Sequence, residues 1–458
     1  MPTPLAHPDG LPVPRRYWAV AAIALAISMT VLDSTIVNVA LPTIAREFAA
    51  TSAASIWVIN AYQLAILMLL LPLASLGEIV GYRRVSQTGL VVFTAASLGC
   101  AFAPGLVALS MARVVQGVGA AGIMSVSGAL VRFTYPHRYL GRAVAINAFV
   151  VATSAALGPT IASAVLAIAH WRWLFGINVP LGAVTLLIAL YALPDSERTH
   201  RPLNFAGATL YAGALGLLLS GLQSLAHHET APLALAEIGG GCGLGWLLAR
   251  HELPRAAPIV PFDLLRIRVF SLSFATSAFS FMAQMAALVA LPFELQRLGH
   301  SAVETGLFMT PWALALAAAA PVAGRLADRF NAGILGGIGL LVLALGLVLL
   351  ALYPEGGSGA GFVWRMALCG LGFGFFQAPN NRAILASAPR ARSGAAGGML
   401  GVARLLGQTV GAAGVAILFR AYGVGGSHLA LFVAALLAVT AAGVSVLRLT
   451  GHSTGAAS

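Results

Sequence analysis

Apolar segments of about 20 residues recur along this whole chain, long enough for each to cross the hydrocarbon core of a bilayer as a helix. Short stretches rich in Arg, Pro and Gly separate them. Inside lipid every backbone N–H and C=O group needs an internal partner, so only helices and closed barrels can span it. Hydrophobic residues make up 59% of the 458 and charged residues only 9%. The sequence therefore excludes a soluble globular chain and predicts an all-α integral membrane protein.

Breaks in the apolar pattern predict fourteen spans, arranged as six, two and six. The spans begin near Trp18, Ile56, Val85, Leu106, Leu140 and Trp173, run over 205–226 and 233–250, and begin again near Phe270, Val303, Gly333, Val363, Gly394 and Leu429. Twelve spans would fit the loop charges equally well. The two middle segments therefore decide between a twelve-span and a fourteen-span protein. The expected divisions are a tail (1–17), a six-helix bundle (18–194), a linker with two further spans (195–268), a second six-helix bundle (269–448) and a tail (449–458).

The loop arginines lie mostly on one side of this predicted topology. Arg15 and Arg16 precede the first span, whereas the opposite side holds mainly Arg46, Arg172, Arg297 and Arg420. By the positive-inside rule this asymmetry predicts a multi-pass protein of the inner (cytoplasmic) membrane with both termini in the cytoplasm. The formal net charge of +12 is then a topology signal, and we expect no nucleic-acid partner.

Two charged residues stand inside predicted spans. Asp33 lies in the first span and Arg113 in the fourth, at a similar predicted depth. An ionised carboxylate in hydrocarbon costs on the order of a few kcal/mol, so it normally faces a partner or a wet cavity and marks an ion or proton path. A nearby opposite charge favours the ionised acid and removal from water favours the neutral one, a competition that suits a proton switch. A static ion pair and a direct contact of Asp33 with substrate are alternatives.

A charged loop recurs in both halves of the chain. The segment GEIVGYRR over 77–84 follows the second span, and GRLADR over 324–329 follows the second span after the linker. Each loop combines an acid with arginine. Corresponding loops in duplicated halves are typical of transporters built from parallel repeats. A simpler interpretation is a positively charged turn that fixes topology.

Several motifs resemble the major facilitator superfamily, and within it the fourteen-helix drug/proton antiporters, over 18–448. LDSTIVNVALP at 32–42 is similar to the first-helix signature of those antiporters, and WRWLFGINVP at 171–180 to the start of their sixth helix. The resemblance implies a major-facilitator fold of two six-helix bundles plus two additional central transmembrane helices. It also implies a proton-coupling role for Asp33 and Arg113. Gly158 and Pro159 are similar to the antiporter motif, although Ser and Ala stand at neighbouring positions where that motif prefers Gly.

The same resemblance gives the loop between the second and third helices a gating role at the cytoplasmic face. Here Glu78 replaces the usual Asp, and Ile79 and Tyr82 replace basic residues. These changes imply that the ion pairs holding the cytoplasmic helix ends together are weaker or are made by different residues. The predicted gate residues are Gly77, Glu78, Gly81, Arg83, Arg84, Asp328 and Arg329.

Further polar residues, including Asn60, Gln63 and Arg404, lie at predicted span depth. Interhelical hydrogen bonding is the simpler explanation for any one of them. The run QAPNNR over 377–382 is interrupted by proline, as a broken cavity-lining helix would be. Glu294 stands near the end of its span and is expected to be a solvated interfacial acid rather than a substrate contact. The residues assigned to the substrate cavity are Asn38, Tyr62, Gln116, Gln284, Gln377 and Asn380.

These features favour a secondary transporter that exports amphipathic, often cationic, compounds in exchange for protons, a multidrug efflux pump of the kind linked to antibiotic resistance. A dedicated exporter of one metabolite or antibiotic is the closest alternative. A membrane enzyme would need a clustered nucleophile and base or metal ligands, and a receptor would usually need a soluble domain. We expect neither, and we expect no cofactor or metal. The expected partners are a small-molecule substrate and the lipid bilayer, and the expected state is a monomer.

Overall fold

The computed structural model describes residues 10–136, 140–196, 198, 202–225, 231–255, 258–327, 329–354, 358–389 and 393–448, and the regular elements in these ranges are helices. The long helices are α1 (Arg15–Glu47), α2 (Trp57–Val80), α3 (Tyr82–Ala101), α4 (Leu106–Thr134), α5 (Leu140–Ile168), α6 (Asn178–Ala192), α7 (Phe205–Ser224), α8 (Ala231–Glu252), α9 (Arg268–Arg297), α10 (Ala302–Leu326), α11 (Ala332–Ala351), α12 (Gly359–Ser387), α13 (Ser393–Tyr422) and α14 (Gly426–Val446). Short helices Ser52–Ser55, Trp173–Gly176 and Phe262–Leu265 precede α2, α6 and α9.

The helix starts agree closely with the apolar pattern of the sequence. Each long helix begins within about four residues of a predicted span, when the short helix Trp173–Gly176 is taken together with α6. Twelve helices in the described ranges are long and apolar enough to cross a membrane. Helix α3 is not among them because its first two turns are polar, and α5 contributes only the shorter apolar stretch Thr153–Ile168. Length and hydropathy therefore support twelve of the fourteen predicted spans.

Local chemistry sets several helix ends. Ser301 caps α10 by accepting from the backbone N–H of Glu304, whose carboxylate accepts in return from the Ser301 N–H, a capping box. The Asn331 side chain caps α11 by accepting from the Gly333 N–H at 2.7 Å. Helix α2 ends at Gly81, where φ is +102°. Glycine adopts that backbone conformation without steric cost, so α3 starts at once in a new direction.

Two six-helix bundles, α1–α6 and α9–α14, repeat one packing scheme. In the first bundle α1 packs on α5 and α6, α2 packs on α4, and α3 packs on α4 and α6. In the second bundle α9 packs on α13 and α14, α10 packs on α12, and α11 packs on α12 and α14. Each of these five pairings of the first bundle thus recurs eight helices later. This is the arrangement that duplicated halves produce.

Helices α7 and α8 pack on each other outside both bundles. Helix α7 also contacts α2 of the first bundle and α13 of the second. The Tyr211 hydroxyl on α7 donates to the Leu67 carbonyl on α2 at 3.0 Å. The Asn204 side chain just before α7 donates to Glu252 at the end of α8 at 2.6 Å. Helices α7 and α8 are therefore hydrogen-bonded to each other and lie beside the junction of the two bundles.

The bundles meet differently at their two ends, which we name the Glu47 end, where α1 stops, and the Arg15 end, where it starts. Toward the Glu47 end Arg46 donates to Gln296 at 3.0 Å, and Thr160 and Thr310 share a 2.9 Å hydrogen bond between α5 and α10. One apolar cluster there includes residues of both bundles. At the Arg15 end each bundle has its own apolar cluster. A further apolar cluster joins α2 of the first bundle to α13 of the second, through Leu70 and Val402 among others. The bundles are therefore joined at the Glu47 end and also along α2 and α13.

Candidate functional site

Asp33 lies within α1 and is only 2% exposed. Its neighbours along the helix, Val31 and Ile36, are buried hydrophobic residues. The apolar sequence around Asp33 thus folds as a core helix and carries the carboxylate into the interior of the first bundle. A carboxylate in such a place needs charged or hydrogen-bonding partners.

The principal partner of Asp33 is Arg113 on α4, which is 1% exposed. Arg113 Nη1 donates to Asp33 Oδ2, and the pair forms a salt bridge. Arg113 Nε donates to the carbonyl oxygen of Val58 in the first turn of α2 at 3.0 Å. The Tyr62 ring lies 4.0 Å from the guanidinium carbon, a cation–π contact. Three helices, α1, α2 and α4, therefore converge on one ion pair.

Two amide side chains complete the coordination of the carboxylate. Gln116 Nε2 and Asn178 Nδ2 both donate to Asp33 Oδ1 at 2.9 Å. Gln116 Nε2 also donates to the Ser97 hydroxyl at 2.8 Å, and Gln116 Oε1 accepts from Arg113 at 2.7 Å. We call Asp33, Tyr62, Arg113, Gln116 and Asn178 the Asp33 cluster.

The Asp33 cluster is a closed polar unit of one acid and one base. Tyr62 joins it to the backbone of α1 because its hydroxyl donates to the Thr30 carbonyl at 3.0 Å. Among the described residues, no buried polar side-chain atom of the cluster lacks a hydrogen-bond partner. Both oxygens of the Asp33 carboxylate accept hydrogen bonds from within the cluster.

Sequence reasoning identified four of the five cluster residues and missed Asn178. Asn178 stands in the 171–180 motif, but a polar residue at the start of a helix has no distinctive signal for a contact with Asp33. Ser97 on α3 and Phe175, whose ring centroid lies 5.6 Å from the Arg113 guanidinium, were missed as well. A single Ser or Phe in an apolar helix gives no sign of which neighbour it contacts.

Four of the six predicted cavity residues lie outside the Asp33 cluster. Asn38 is 3% exposed with an unpartnered Oδ1, Gln284 is 9% exposed, and Gln377 is partly exposed. Asn380 is fully buried, and its Nδ2 donates to the Ser277 hydroxyl at 2.9 Å. Asn380 therefore braces α12 against α9.

The predicted gate loop joins α2 to α3 at the Arg15 end. Arg83 pairs with Asp195 beyond the end of α6, with Nη1 3.4 Å from Oδ2. Arg84 is exposed, and Glu78 is partly exposed. In place of Gly77, any residue with a Cβ would crowd Tyr82 and Val126. The partner of Arg83 is thus an acid that the motif did not include.

In the corresponding loop of the second half, Arg329 is exposed. Asp328, the acid of that loop, lies outside the described residues. The pairing of these two predicted gate residues therefore stays a prediction.

Gly158 and Pro159 lie where α5 crosses other helices. A side chain at Gly158 would overlap Thr35 on α1, so this position brings the two helices into close contact. The Pro159 carbonyl accepts from the Ser163 hydroxyl at 2.9 Å and faces Gly306 of α10. These residues serve close packing of α5 on both bundles.

The prediction that Glu294 is a solvated acid is wrong, because Glu294 is only 6% exposed. Arg297 and His428 lie 2.8 Å and 3.0 Å from its Oε1, and Ser427 donates to its other oxygen. Glu294 therefore joins α9 to α14 at the Glu47 end. The predicted proximity of Arg297 is correct.

Comparison with known proteins identifies the family of this chain. A family model described as Major Facilitator Superfamily matches residues 23–412. The chain is 51% identical over 450 residues, 98% of both chains, to the uncharacterized transporter YebQ of Escherichia coli (strain K12). It is 31% identical to Multidrug resistance protein Stp of Mycobacterium tuberculosis (strain CDC 1551 / Oshkosh) over 85% of this chain and 73% of Stp.

A solved structure has the same fold. It is the inward-facing, unoccupied conformation of a bacterial homolog to the human lysosomal transporter Spinster, with a TM-score of 0.70. The match covers 95% of this chain and 97% of that one at 16% identity. At that identity the likeness concerns the fold alone.

Proposed function

Because the chain belongs to the Major Facilitator Superfamily and is a multi-pass membrane transporter, we propose that it is a proton-coupled antiporter that exports amphipathic small molecules by alternating access. The observation that carries this proposal is the ion pair of Asp33 and Arg113, which are 2% and 1% exposed inside a membrane helix bundle. Ionisable residues in such places serve proton relays and ion paths.

The proposed subfamily is that of the fourteen-helix drug/proton antiporters. Helices α7 and α8 support it, because they form a separate pair beside the two bundles. Helices α3 and α5 would supply the two spans that the hydropathy count leaves out. A relative at 31% identity is named a multidrug resistance protein, which supports export of toxic compounds and a role in antibiotic resistance.

The proposed mechanism alternates between two states of the Asp33 cluster. In the ionised state Asp33 holds Arg113, Gln116 and Asn178, as in this structure. A proton on Asp33 removes the negative charge, so Arg113 loses its ion-pair partner and the amide donors lose a strong acceptor. The helices that carry these residues, α1, α4 and α6, then shift relative to one another. Proton uptake in this way favours a different arrangement of the bundle.

We place the Arg15 end in the cytoplasm and the Glu47 end outside the cell. The arginines of the tail and of the α2–α3 loop, Arg15, Arg16, Arg83 and Arg84, all lie at the Arg15 end and support this orientation. The bundles are joined toward the Glu47 end and also touch along α2 and α13, whereas separate apolar clusters lie at the Arg15 end. The described conformation is then an inward-facing one of a monomer in the inner membrane.

The proton role is tested in proteoliposomes with an acidic lumen. The fluorescence of 9-amino-6-chloro-2-methoxyacridine reports the pH gradient while three unrelated amphipathic compounds, one cationic, one neutral and one anionic, are added outside in turn. We expect at least one compound to release protons through the wild-type protein and none to release protons through Asp33→Asn. Asparagine keeps the size of Asp33 but removes its charge and replaces one acceptor oxygen by an N–H donor. Glu304→Gln is the matched control, because Glu304 is exposed and glutamine also completes a capping box.

Proton release that persists in Asp33→Asn at the wild-type rate contradicts the proton role and leaves a static brace between α1 and α4. Wild-type protein that responds to none of the compounds contradicts export of many compounds. The dedicated exporter of one metabolite or antibiotic then takes its place. A loss of activity in Glu304→Gln as well would point to general damage to the fold.

A further inference from the structure

Arg404 is a charged residue of α13 that the Asp33 cluster does not use. The helix runs from Ser393 to Tyr422, so Arg404 lies well inside the span. It is partly exposed, and among the described residues its guanidinium has no hydrogen-bond or ion-pair partner. Its electrostatic neighbour is Tyr62. Arg113, by contrast, has an acid, an amide and a carbonyl as partners.

The contact between α2 and α13 gives the position of Arg404. A Cβ at Gly401 would lie 3.2 Å from Leu70, and one at Gly398 would lie 3.3 Å from Leu71. The two helices therefore touch directly on these faces. Arg404 comes one helical turn after Gly401, so it follows next along the contact, beside the part of α2 that precedes Leu70.

Two amide residues lie on the same face of α2. Gln63 is seven residues before Leu70, and Asn60 is ten, which places all three on one side of the helix. Gln63 is 2% and Asn60 is 1% exposed. Gln63 Oε1 and both amide atoms of Asn60 are buried without a hydrogen-bond partner. Buried polar groups cost free energy unless a partner binds them, so this face is suited to a polar ligand.

The charge of that ligand follows from Arg404. A guanidinium inside a membrane bundle is costly without an anion, and the nearby acid, Asp33, is already held by Arg113, Gln116 and Asn178. A carboxylate or sulfonate would form charge-assisted hydrogen bonds with the free guanidinium. A cation would be repelled by Arg404 and would have to displace Arg113 to reach Asp33.

We propose that Arg404 binds the acidic group of the transported compound, so that the substrates are amphipathic organic anions held between α2 and α13 with Gln63 and Asn60. The proposal rests on the export function above and narrows its amphipathic substrates to anions, in place of the cations expected from the sequence. Tyr62 contacts Arg113 and also interacts electrostatically with Arg404. The anion site and the proposed proton site therefore adjoin one another.

A binding experiment without any gradient tests this assignment on the detergent-purified full chain. The probes share one fluorophore: dansylate, an aryl sulfonate anion; dansylamide, its neutral analogue; and dansylethyltrimethylammonium, a cation. We expect wild-type protein to bind dansylate at least about tenfold more tightly than the other two. Arg404→Gln should remove this preference, and Arg404→Lys should keep most of it. Arg420→Gln, at the far end of the same helix, should behave as wild type.

Failure of dansylate to bind, or tighter binding of the neutral or cationic probe by wild-type protein, would overturn the proposal. An unchanged dansylate affinity in a folded Arg404→Gln variant would also overturn it. If Arg404→Gln does not fold, the three-probe comparison on wild-type protein and the Arg404→Lys variant still decide.

Phosphatidylglycerol added to the micelles tests whether the site binds a lipid headgroup instead of a substrate. Displacement of dansylate by this lipid at equimolar concentration would assign the site to a headgroup and overturn the assignment to substrate. Because binding needs no proton gradient, a positive result stands even if proton coupling fails. A negative result leaves the test of Asp33 untouched.

Discussion

At the scale of single residues, the Asp33 carboxylate is shared unequally between its partners. Oδ2 faces Arg113, whereas Oδ1 accepts from the amides of Gln116 and Asn178. The amide of Gln116 is itself fixed by Ser97. Asn178 has no second bond of this kind among the described residues, so it is the donor whose removal disturbs the rest of the cluster least.

We expect Asn178→Ala to destabilise the protein by about 1.5–3 kcal/mol, the contribution of a hydrogen bond to a charged group. The physical reason is that Asp33 Oδ1 loses one of its two amide donors. The measurement is the apparent Tm of detergent-purified protein.

The matched control for this change is Gln87→Ala. Gln87 donates to the Ala189 carbonyl between α3 and α6 at 2.9 Å and does not touch Asp33. Its acceptor is a neutral carbonyl, so its removal should cost only about 0.5–1.5 kcal/mol. A fall in Tm in Asn178→Ala no larger than that in Gln87→Ala would mean that Asn178 does not stabilise the Asp33 carboxylate.

The sequence allowed the charged members of the site to be predicted, because a charge inside an apolar segment is rare and costly. Asp33 and Arg113 are 80 residues apart in the chain, yet their similar predicted depth anticipated the contact. Asn178 could not be assigned in this way. Depth along a helix follows from counting residues, whereas the direction in which a side chain points depends on the packing of helices that one sequence does not reveal.

At the scale of helices, close approach of α1 and α5 depends on Gly158. We expect Gly158→Val to destabilise the protein by about 1–3 kcal/mol, the usual cost of overpacking, because the added side chain overlaps Thr35. The measurement is the apparent Tm of detergent-purified protein. Gly128→Val is the control, since a Cβ at Gly128 has open space. Equal Tm values for the two variants would mean that α1 and α5 separate at no cost.

Helix positions were the most predictable level of the structure. Apolar runs bounded by Arg, Pro and Gly place helix starts well, since a span needs a fixed length of apolar chain. One feature was beyond this approach. The pattern predicted a single span from Trp173, whereas the structure separates the short helix Trp173–Gly176 from α6 at Ile177.

At the scale of the whole molecule, the described state is defined by where the two bundles touch. Contacts toward the Glu47 end connect α1 with α9 and α5 with α10, including Arg46 with Gln296 and Thr160 with Thr310. Alternating access requires these contacts to part when the site opens toward that end. The contact between Thr160 and Thr310 is the easiest to fix, because both residues carry small side chains that already meet at 2.9 Å.

We expect the double variant Thr160→Cys and Thr310→Cys to form a disulfide under copper phenanthroline, because the side-chain separation suits one. The bond should hold the Glu47 end closed, so that transport in proteoliposomes stops on oxidation and resumes with dithiothreitol. The background is Cys242→Ser, since Cys242 is exposed whereas Cys100 and Cys369 are buried. Loss of maleimide labelling shows how far the bond has formed. Full transport by a fully oxidised protein would mean that α5 and α10 stay together throughout the cycle, and the site would then have to open along another seam between the bundles.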